Sequence, residues 1–77
     1  MKIIIWSKFD CSFCERAKHE FKKRDLPYEE RIIGGGWTKE QLLEVAPNAR
    51  SVPQIFIDET YVGGYTELMK SGKLDSQ

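Results

Sequence analysis

The sequence has no excess of charge of either sign and no long hydrophobic run. Its 12 lysine and arginine residues balance 12 acidic residues, and the basic residues are scattered among the acidic ones. Binding to a nucleic-acid backbone is therefore not expected, because it requires clustered positive charge. The longest apolar run, residues 3–6, is too short to span a bilayer, and no secretory signal is recognisable. We expect a cytoplasmic protein without nucleic-acid or membrane partners.

Cysteine and histidine are also scarce. Cys11 and Cys14 lie only three positions apart and cannot link distant parts of the chain, so a structural disulfide framework is not expected. A structural zinc site needs four ligands, and His19 would add only a third. A cytosolic redox or metal role is favoured instead. The 77 residues are enough for one core, which predicts a single domain over residues 1–77.

The pattern of apolar residues predicts an alternating α/β chain. A β-branched run at residues 2–6 is typical of a strand buried on both faces. Cys14, Ala17 and Phe21 recur at helical spacing. The predicted elements are strand 2–6, helix 12–24, strand 28–33, a helix capped by Thr38 and Gln41, strand 54–58, strand 61–62 and helix 66–70. Residues 73–77 are expected to fray.

The two cysteines lie where the first strand gives way to the first helix. Free amides and the dipole at a helix N-terminus favour a thiolate, and Cys11 receives that field most directly. Lys8 adds a nearby positive charge. Cys14, one turn into the helix, should be more buried. Cys11 is therefore the expected nucleophile and Cys14 the resolving thiol, although two unrelated cysteines would also fit the spacing.

The segment Ser51-Val52-Pro53 precedes the third predicted strand. A cis bond before Pro53 would turn the chain sharply and leave the Val52 amide and carbonyl facing outward. Those groups would be able to pair with an extended peptide by strand addition. A trans proline that opens an edge strand explains the same residues.

A third segment, residues 63–67, combines two glycines with Tyr65, Thr66 and Glu67. The helix start would offer amides and the Thr66 hydroxyl to a carboxylate, while Glu67 would take an ammonium group. The simpler interpretation is a strand-to-helix turn in which Thr66 is the N-cap and Glu67 a first-turn acid.

The three segments, taken in this order, resemble the glutaredoxins. The resemblance covers residues 2–69 and is close at residues 52–58, Val-Pro-Gln-Ile-Phe-Ile-Asp, where it is nearest to small bacterial and phage members. It implies a thioredoxin-like fold with a four-stranded mixed sheet, three helices and a cis-proline at Pro53. It also implies a dithiol–disulfide oxidoreductase that is reduced by glutathione, needs no other cofactor, and acts on protein disulfides and glutathione mixed disulfides.

The resemblance also implies a role for individual residues. Cys11 and Cys14 match the catalytic pair. The glutathione-binding positions correspond to Lys8, Phe13, Ser51, Val52, Pro53, Tyr65, Thr66 and Glu67. Among these, Lys8 would face the glycyl carboxylate and Val52 would pair with the cysteinyl backbone. Gln41 or Glu40 is a further candidate from the second helix. Ribonucleotide reductase is the expected client, and a monomer is the expected state.

Four positions, in three segments of the chain, depart from the common family pattern. Ser12 and Phe13 replace the usual proline and tyrosine, Glu67 replaces aspartate, and Ser51 replaces threonine. Some members with serine at the position of Ser12 assemble a glutathione-ligated [2Fe–2S] cluster between two subunits, which is one alternative function. A redoxin reduced by thioredoxin reductase is another alternative function, although such proteins lack the glutathione-binding site that Thr66 and Glu67 suggest.

Overall fold

The computed structural model describes residues 1–75. Its elements are β1 (Ile3–Lys8), α1 (Ser12–Lys23), β2 (Glu29–Ile33), α2 (Lys39–Val45), β3 (Gln54–Ile57), β4 (Thr60–Gly63) and α3 (Tyr65–Ser71). The predicted order β-α-β-α-β-β-α is confirmed. Within residues 1–75, no helix has both the length and the apolar character needed to cross a membrane.

The four strands form one mixed sheet in the order β2-β1-β3-β4. β1 runs parallel to β2 and antiparallel to β3, and β4 returns antiparallel to β3. β1 is therefore an interior strand, as its apolar run predicts. It continues two residues beyond the predicted end because Ser7 and Lys8 pair with Ile32 and Ile33 of β2. This extension brings Lys8 to the end of the sheet that precedes the two cysteines.

Helices α1 and α3 pack together on one face of the sheet, which we call the α1/α3 side. Their apolar residues Ala17, Phe21 and Leu68 join the isoleucines of β1 and β3 in a closed core, where Phe21 and Leu68 are fully buried. Burial of this apolar surface is the main stabilising contribution to the fold. The helical spacing of Cys14, Ala17 and Phe21 thus correctly identifies the buried stripe of α1.

The chain after α3 does not fray as expected. Leu74 is only 3 % exposed within the same core, and Asp75 Oδ1 lies 2.9 Å from an Arg24 guanidinium nitrogen. The residues around Leu74 are polar, which is typical of a frayed terminus. The single apolar side chain of Leu74 is nevertheless enough to return the chain to the core. The prediction of fraying is wrong for residues 73–75. Residues 76 and 77, which it also covered, lie outside the described range.

On the opposite face, which we call the α2 side, the seven-residue α2 is the one helix among the described residues, and loop residues Trp37, Ala49 and Val52 complete the cover. Its core is smaller: Trp6, Leu42 and Ala46 are buried, and six further apolar residues pack against them only partly covered. The capping box predicted for Thr38 and Gln41 is present, with the backbone amide of Gln41 donating to Thr38 Oγ1 at 3.1 Å. Because one short helix cannot cover the sheet, this side keeps open apolar surface.

Candidate active site

The cysteine pair lies at the N-terminus of α1. Cys11 is the N-cap residue with extended backbone angles (φ −116°, ψ 106°), and the amide of Cys14 donates to its sulfur at 3.2 Å. The two residues form a disulfide, with Cα atoms 5.2 Å apart. The same amide and the helix dipole are placed to stabilise negative charge on Cys11 once the disulfide is reduced.

The two cysteines differ in their access to solvent. Cys14 is fully buried within the apolar stripe of α1, whereas Cys11 is partly exposed. This is the difference expected from the helical spacing. A disulfide in solution can approach the partly exposed Cys11, whereas it can reach Cys14 only after the chain moves. The arrangement therefore suits attack by Cys11 followed by resolution by Cys14.

The loop before β3 lies against the exposed cysteine. The Val52–Pro53 bond is cis, and β3 is an interior strand, so the edge-strand alternative does not apply. The Val52 carbonyl oxygen lies 3.8 Å from Cys11 Sγ. A disulfide sulfur carries no hydrogen, so this is a contact rather than a hydrogen bond in the oxidised protein. Within residues 1–75 the Val52 amide has no hydrogen-bond partner, which leaves it available to a ligand.

One side chain that sequence analysis missed supports this loop. Gln54, the first residue of β3, is buried, and its side-chain amide donates to the Ser51 carbonyl at 2.8 Å. The Tyr61 hydroxyl of β4 in turn donates to Gln54 Oε1. These bonds connect the loop to the β3–β4 hairpin. The signal available in the sequence was a glutamine at the start of the apolar run Ile55–Ile57, because a polar side chain that enters a core must find polar partners.

The start of α3 differs from the predicted cap. The N-cap is Gly64 rather than Thr66, and the helix begins at Tyr65. The Gly64 amide donates to Glu67 Oε1 at 2.8 Å. Glycine accepts this position because a capping acid three residues on satisfies its amide. The Thr66 side chain, released from capping, lies at the exposed first turn beside Glu67.

These segments surround one small cleft of about 170 Å³. It collects seven of the eight residues that the family resemblance assigns to glutathione. They are Phe13, Ser51, Val52, Pro53, Tyr65, Thr66 and Glu67, and Gly64 completes the lining. The Phe13 and Tyr65 rings form one wall, with centroids 6.0 Å apart. The fold thus brings three separate sequence motifs together on the α1/α3 side.

Lys8, the eighth residue, lines a neighbouring groove of about 220 Å³ on the α2 side. We call it the α2 groove. It shares Ser51 and Val52 with the cleft, so the two depressions meet beside Cys11. Gln41 does not line it, because its side chain is used in the capping box; Lys39 and Leu42 of the same helix do.

A partly buried ionic network lies under α1. Glu30 Oε2 of β2 accepts from Ser7 Oγ at 2.7 Å and from Lys18 Nζ at 2.9 Å, and Lys18 also pairs with Glu15. Burial alone would raise the pKa of Glu30, but the hydrogen bonds from Lys18 and Ser7 and the charges of Lys18 and Lys22 outweigh it, so the pKa is lowered. Burial likewise opposes the charge of Lys18, but its acidic partners keep its pKa raised. The network therefore stays ionised and ties α1 to the sheet below the dithiol.

Comparison with known proteins matches this chain to one family. The glutaredoxin family model matches residues 3–62. A probable glutaredoxin of Synechocystis sp. is 36 % identical over an alignment of 78 positions, and the match covers 96 % of this chain and 89 % of that protein. The crystal structure of glutaredoxin 1 from Francisella tularensis has a TM-score of 0.84 at 27 % identity and covers 99 % of this chain and 98 % of its own. The complex of a buckwheat glutaredoxin with glutathione has a TM-score of 0.81 at 26 % identity and covers 96 % and 73 % of the two chains.

Proposed function

The chain belongs to the glutaredoxin family of thiol–disulfide oxidoreductases, and we propose that this member takes its electrons from glutathione. The main support is the position of the cleft. It combines the Val52 amide, the first turn of α3 and the Phe13–Tyr65 wall beside the partly exposed Cys11. The known complex of the buckwheat glutaredoxin with glutathione supports the same ligand.

Each part of glutathione has a chemically suitable neighbour in the proposed complex. The γ-glutamyl ammonium pairs with the Glu67 carboxylate, whose other oxygen is oriented by the Gly64 amide. The γ-glutamyl carboxylate meets the Thr66 hydroxyl, and the cysteinyl backbone pairs with Val52 as an added strand. The glycyl carboxylate points to Lys8 across the junction between cleft and groove. This arrangement brings the glutathione sulfur to Cys11.

The proposed cycle transfers two electrons. The Cys11 thiolate attacks a substrate disulfide and releases one substrate thiolate. Cys14 then attacks Cys11 Sγ, which releases the second thiolate and leaves the protein disulfide. One glutathione thiolate opens this disulfide by bonding to Cys11 and freeing Cys14. A second glutathione attacks the bound glutathione sulfur, so that oxidised glutathione leaves and the dithiol is restored.

We further propose disulfide-containing proteins such as ribonucleotide reductase as clients, with the enzyme acting as a monomer in the cytoplasm. These assignments rest on the family and on the single accessible sulfur. A mixed disulfide with a large client requires Cys11 to lie in an open position, and the partial exposure of Cys11 is consistent with this.

A comparison of electron donors tests the proposal. The oxidised protein is supplied either with NADPH, glutathione and glutathione reductase or with NADPH and thioredoxin reductase, and reduction of a glutathione mixed disulfide is followed. We expect turnover only with the glutathione system. Turnover with thioredoxin reductase alone would assign the protein to the other class of redoxin, and no turnover with glutathione would refute the proposal.

The cluster-binding alternative depends on Ser12, which is the exposed first residue of α1. Within residues 1–75, no three histidine, cysteine, aspartate or glutamate side chains are grouped to hold a metal ion. A cluster shared between two subunits through glutathione would need only Cys11 from each chain. The visible absorbance spectrum of protein purified without oxygen distinguishes the two functions, because a [2Fe–2S] cluster absorbs there and a dithiol does not.

A further inference from the structure

The α2 groove has a lining that glutathione does not explain. Its floor and walls include the side chains of Ile33, Leu42, Leu43 and Ala49, and Leu42 is almost completely buried beneath it. Glutathione has no apolar side chain to place on such a surface. Exposed apolar depressions next to a reactive group are typical sites for a partner's side chain. The groove therefore suits a ligand with an apolar residue.

The charges around the groove are all positive. Lys8, Lys39 and Arg50 line it, and no acidic side chain among residues 1–75 does. Within the described part of the chain none of these three cations belongs to an ion pair. The molecule as a whole has no net charge. This local concentration of unpaired positive charge favours an acidic ligand through charge complementarity.

The groove is also continuous with the reactive sulfur. It shares Ser51 and Val52 with the glutathione cleft, and the Val52 carbonyl lies 3.8 Å from Cys11 Sγ. A peptide joined to Cys11 as a mixed disulfide can extend along the groove from this junction. Arg50 directly precedes the Ser51-Val52-Pro53 loop, so the loop that contacts the sulfur also carries one of the three cations.

We propose that the α2 groove docks the segment of a substrate protein next to its disulfide, and that it selects segments in which an apolar side chain is flanked by carboxylates. The proposal names the substrate class of the redox site and rests on the dithiol chemistry of Cys11. It does not depend on glutathione as the reductant, because docking precedes the first thiol exchange.

A single-turnover measurement isolates this step. Fully reduced protein is mixed, without glutathione, with cyclic peptides closed by one disulfide. The peptides share a leucine beside one cysteine and differ in carrying either aspartates or lysines around it. One peptide disulfide becomes two thiols as the Cys11–Cys14 dithiol becomes a disulfide, so electrons balance without another reagent. At low ionic strength we expect the acidic peptide to be reduced about tenfold faster or more.

Two double variants locate the source of that preference. K39E/R50E should abolish or invert it, whereas K2E/K70E should retain it. The control makes the same change in net charge with exposed lysines that do not line the groove. Lys8 is left unchanged because it is assigned to glutathione. Replacing the peptide leucine by glycine should slow reduction of the acidic peptide about tenfold, which reports the apolar floor.

Several results would overturn the proposal. These are equal rates for acidic and basic peptides with the unmodified protein, equal loss of preference in both double variants, and no effect of the leucine. If K39E/R50E impairs reduction of glutathione mixed disulfides as strongly as that of the acidic peptide, the groove belongs to the glutathione site instead. Thermal melting checks that the variants fold. If K39E/R50E does not fold, the charge-neutralising variant K39Q/R50Q takes its place. Failure of the glutathione assay would leave the peptide preference unaffected.

Discussion

The two sides of the sheet differ in the size of their cores and in the surface that adjoins each core. On the α1/α3 side, two helices and Leu74 close over a large core, and the depression at its rim is the polar cleft in which we propose that glutathione binds. On the α2 side, one short helix covers a small core, and the adjoining groove is apolar and positively charged. The sides meet at Cys11 and Val52, where we propose that thiol exchange takes place.

The comparison shows how a small domain separates stability from recognition. Closing one side supplies most of the buried apolar area, so the other side can keep surface open for a partner. A reductant and a protein substrate can then approach one sulfur from different directions. If this division is correct, substitutions on the two sides should affect different measurements.

The largest effect should come from removing the sulfur at which the sides meet. We expect Cys11→Ser to lower both reduction of protein disulfides and reduction of glutathione mixed disulfides by at least about 10³-fold, because it removes the nucleophile. Cys14→Ser should lose most protein-disulfide reduction but keep deglutathionylation, which needs Cys11 alone. Steady-state rates with the two substrates measure both effects. An equal loss of both activities in Cys14→Ser would contradict the separate roles.

The second effect compares the two cores. Phe21→Ala should lower the free energy of unfolding by about 3–5 kcal/mol, because it opens a cavity in the closed core. Leu42→Ala should cost less, about 2 kcal/mol, because the open α2 side allows water and neighbouring side chains to fill the space. Urea unfolding followed by circular dichroism measures both values. Equal costs would show that the α2 side is as tightly packed as the other.

The third effect tests the polar cleft alone. Glu67→Gln keeps an oxygen for the Gly64 amide but removes the negative charge proposed to bind the glutathione ammonium. We expect KM for glutathione to rise about tenfold, which is the effect of losing one charged hydrogen bond of about 1.4 kcal/mol. Glu44→Gln, an exposed change on α2, is the matched control. The single-turnover rate of reduction of the acidic peptide should not change. An equal fall in that rate would show that the cleft and the groove are one binding site.

The smallest effect concerns the ionic network beneath α1. Because the pKa of Glu30 is lowered in the folded protein, its ionisation stabilises the fold above the unfolded pKa, and this contribution disappears as the pH falls through the folded pKa. Glu30→Gln should therefore cost about 1–2 kcal/mol at neutral pH and progressively less in acid below about pH 4. Unfolding measured across this range tests the prediction.

A matched control for the ionic network lies one residue earlier in β2. Glu29 pairs with Arg31 at a more exposed position, so Glu29→Gln should change the stability by no more than about 0.5 kcal/mol. A pH-independent difference between Glu30→Gln and the unmodified protein would show that the network contributes through packing rather than charge.

Sequence reasoning succeeded where the signal is local. The stripe of α1, the capping box of Thr38 and Gln41, and the cysteine pair at a helix start are all confirmed, because each depends on residues within one or two turns. It failed at the cap of α3, where Thr66 and Gly64 both fit a helix start and the bond from the Gly64 amide to Glu67 decides between them. It also missed Gln54, Lys39 and Arg50, whose neighbours are contributed by other elements.

By itself, the sequence determined the order of the elements, the family and the dithiol at the start of α1. Periodicity, caps and motifs are properties of short segments, and they are legible without the fold. Only the tertiary structure decided that Leu74 returns to the core, that Cys11 meets Val52 41 positions away, and that three cations line one groove. Such proximity depends on how the sheet and helices pack, and spacing along the chain does not reveal it.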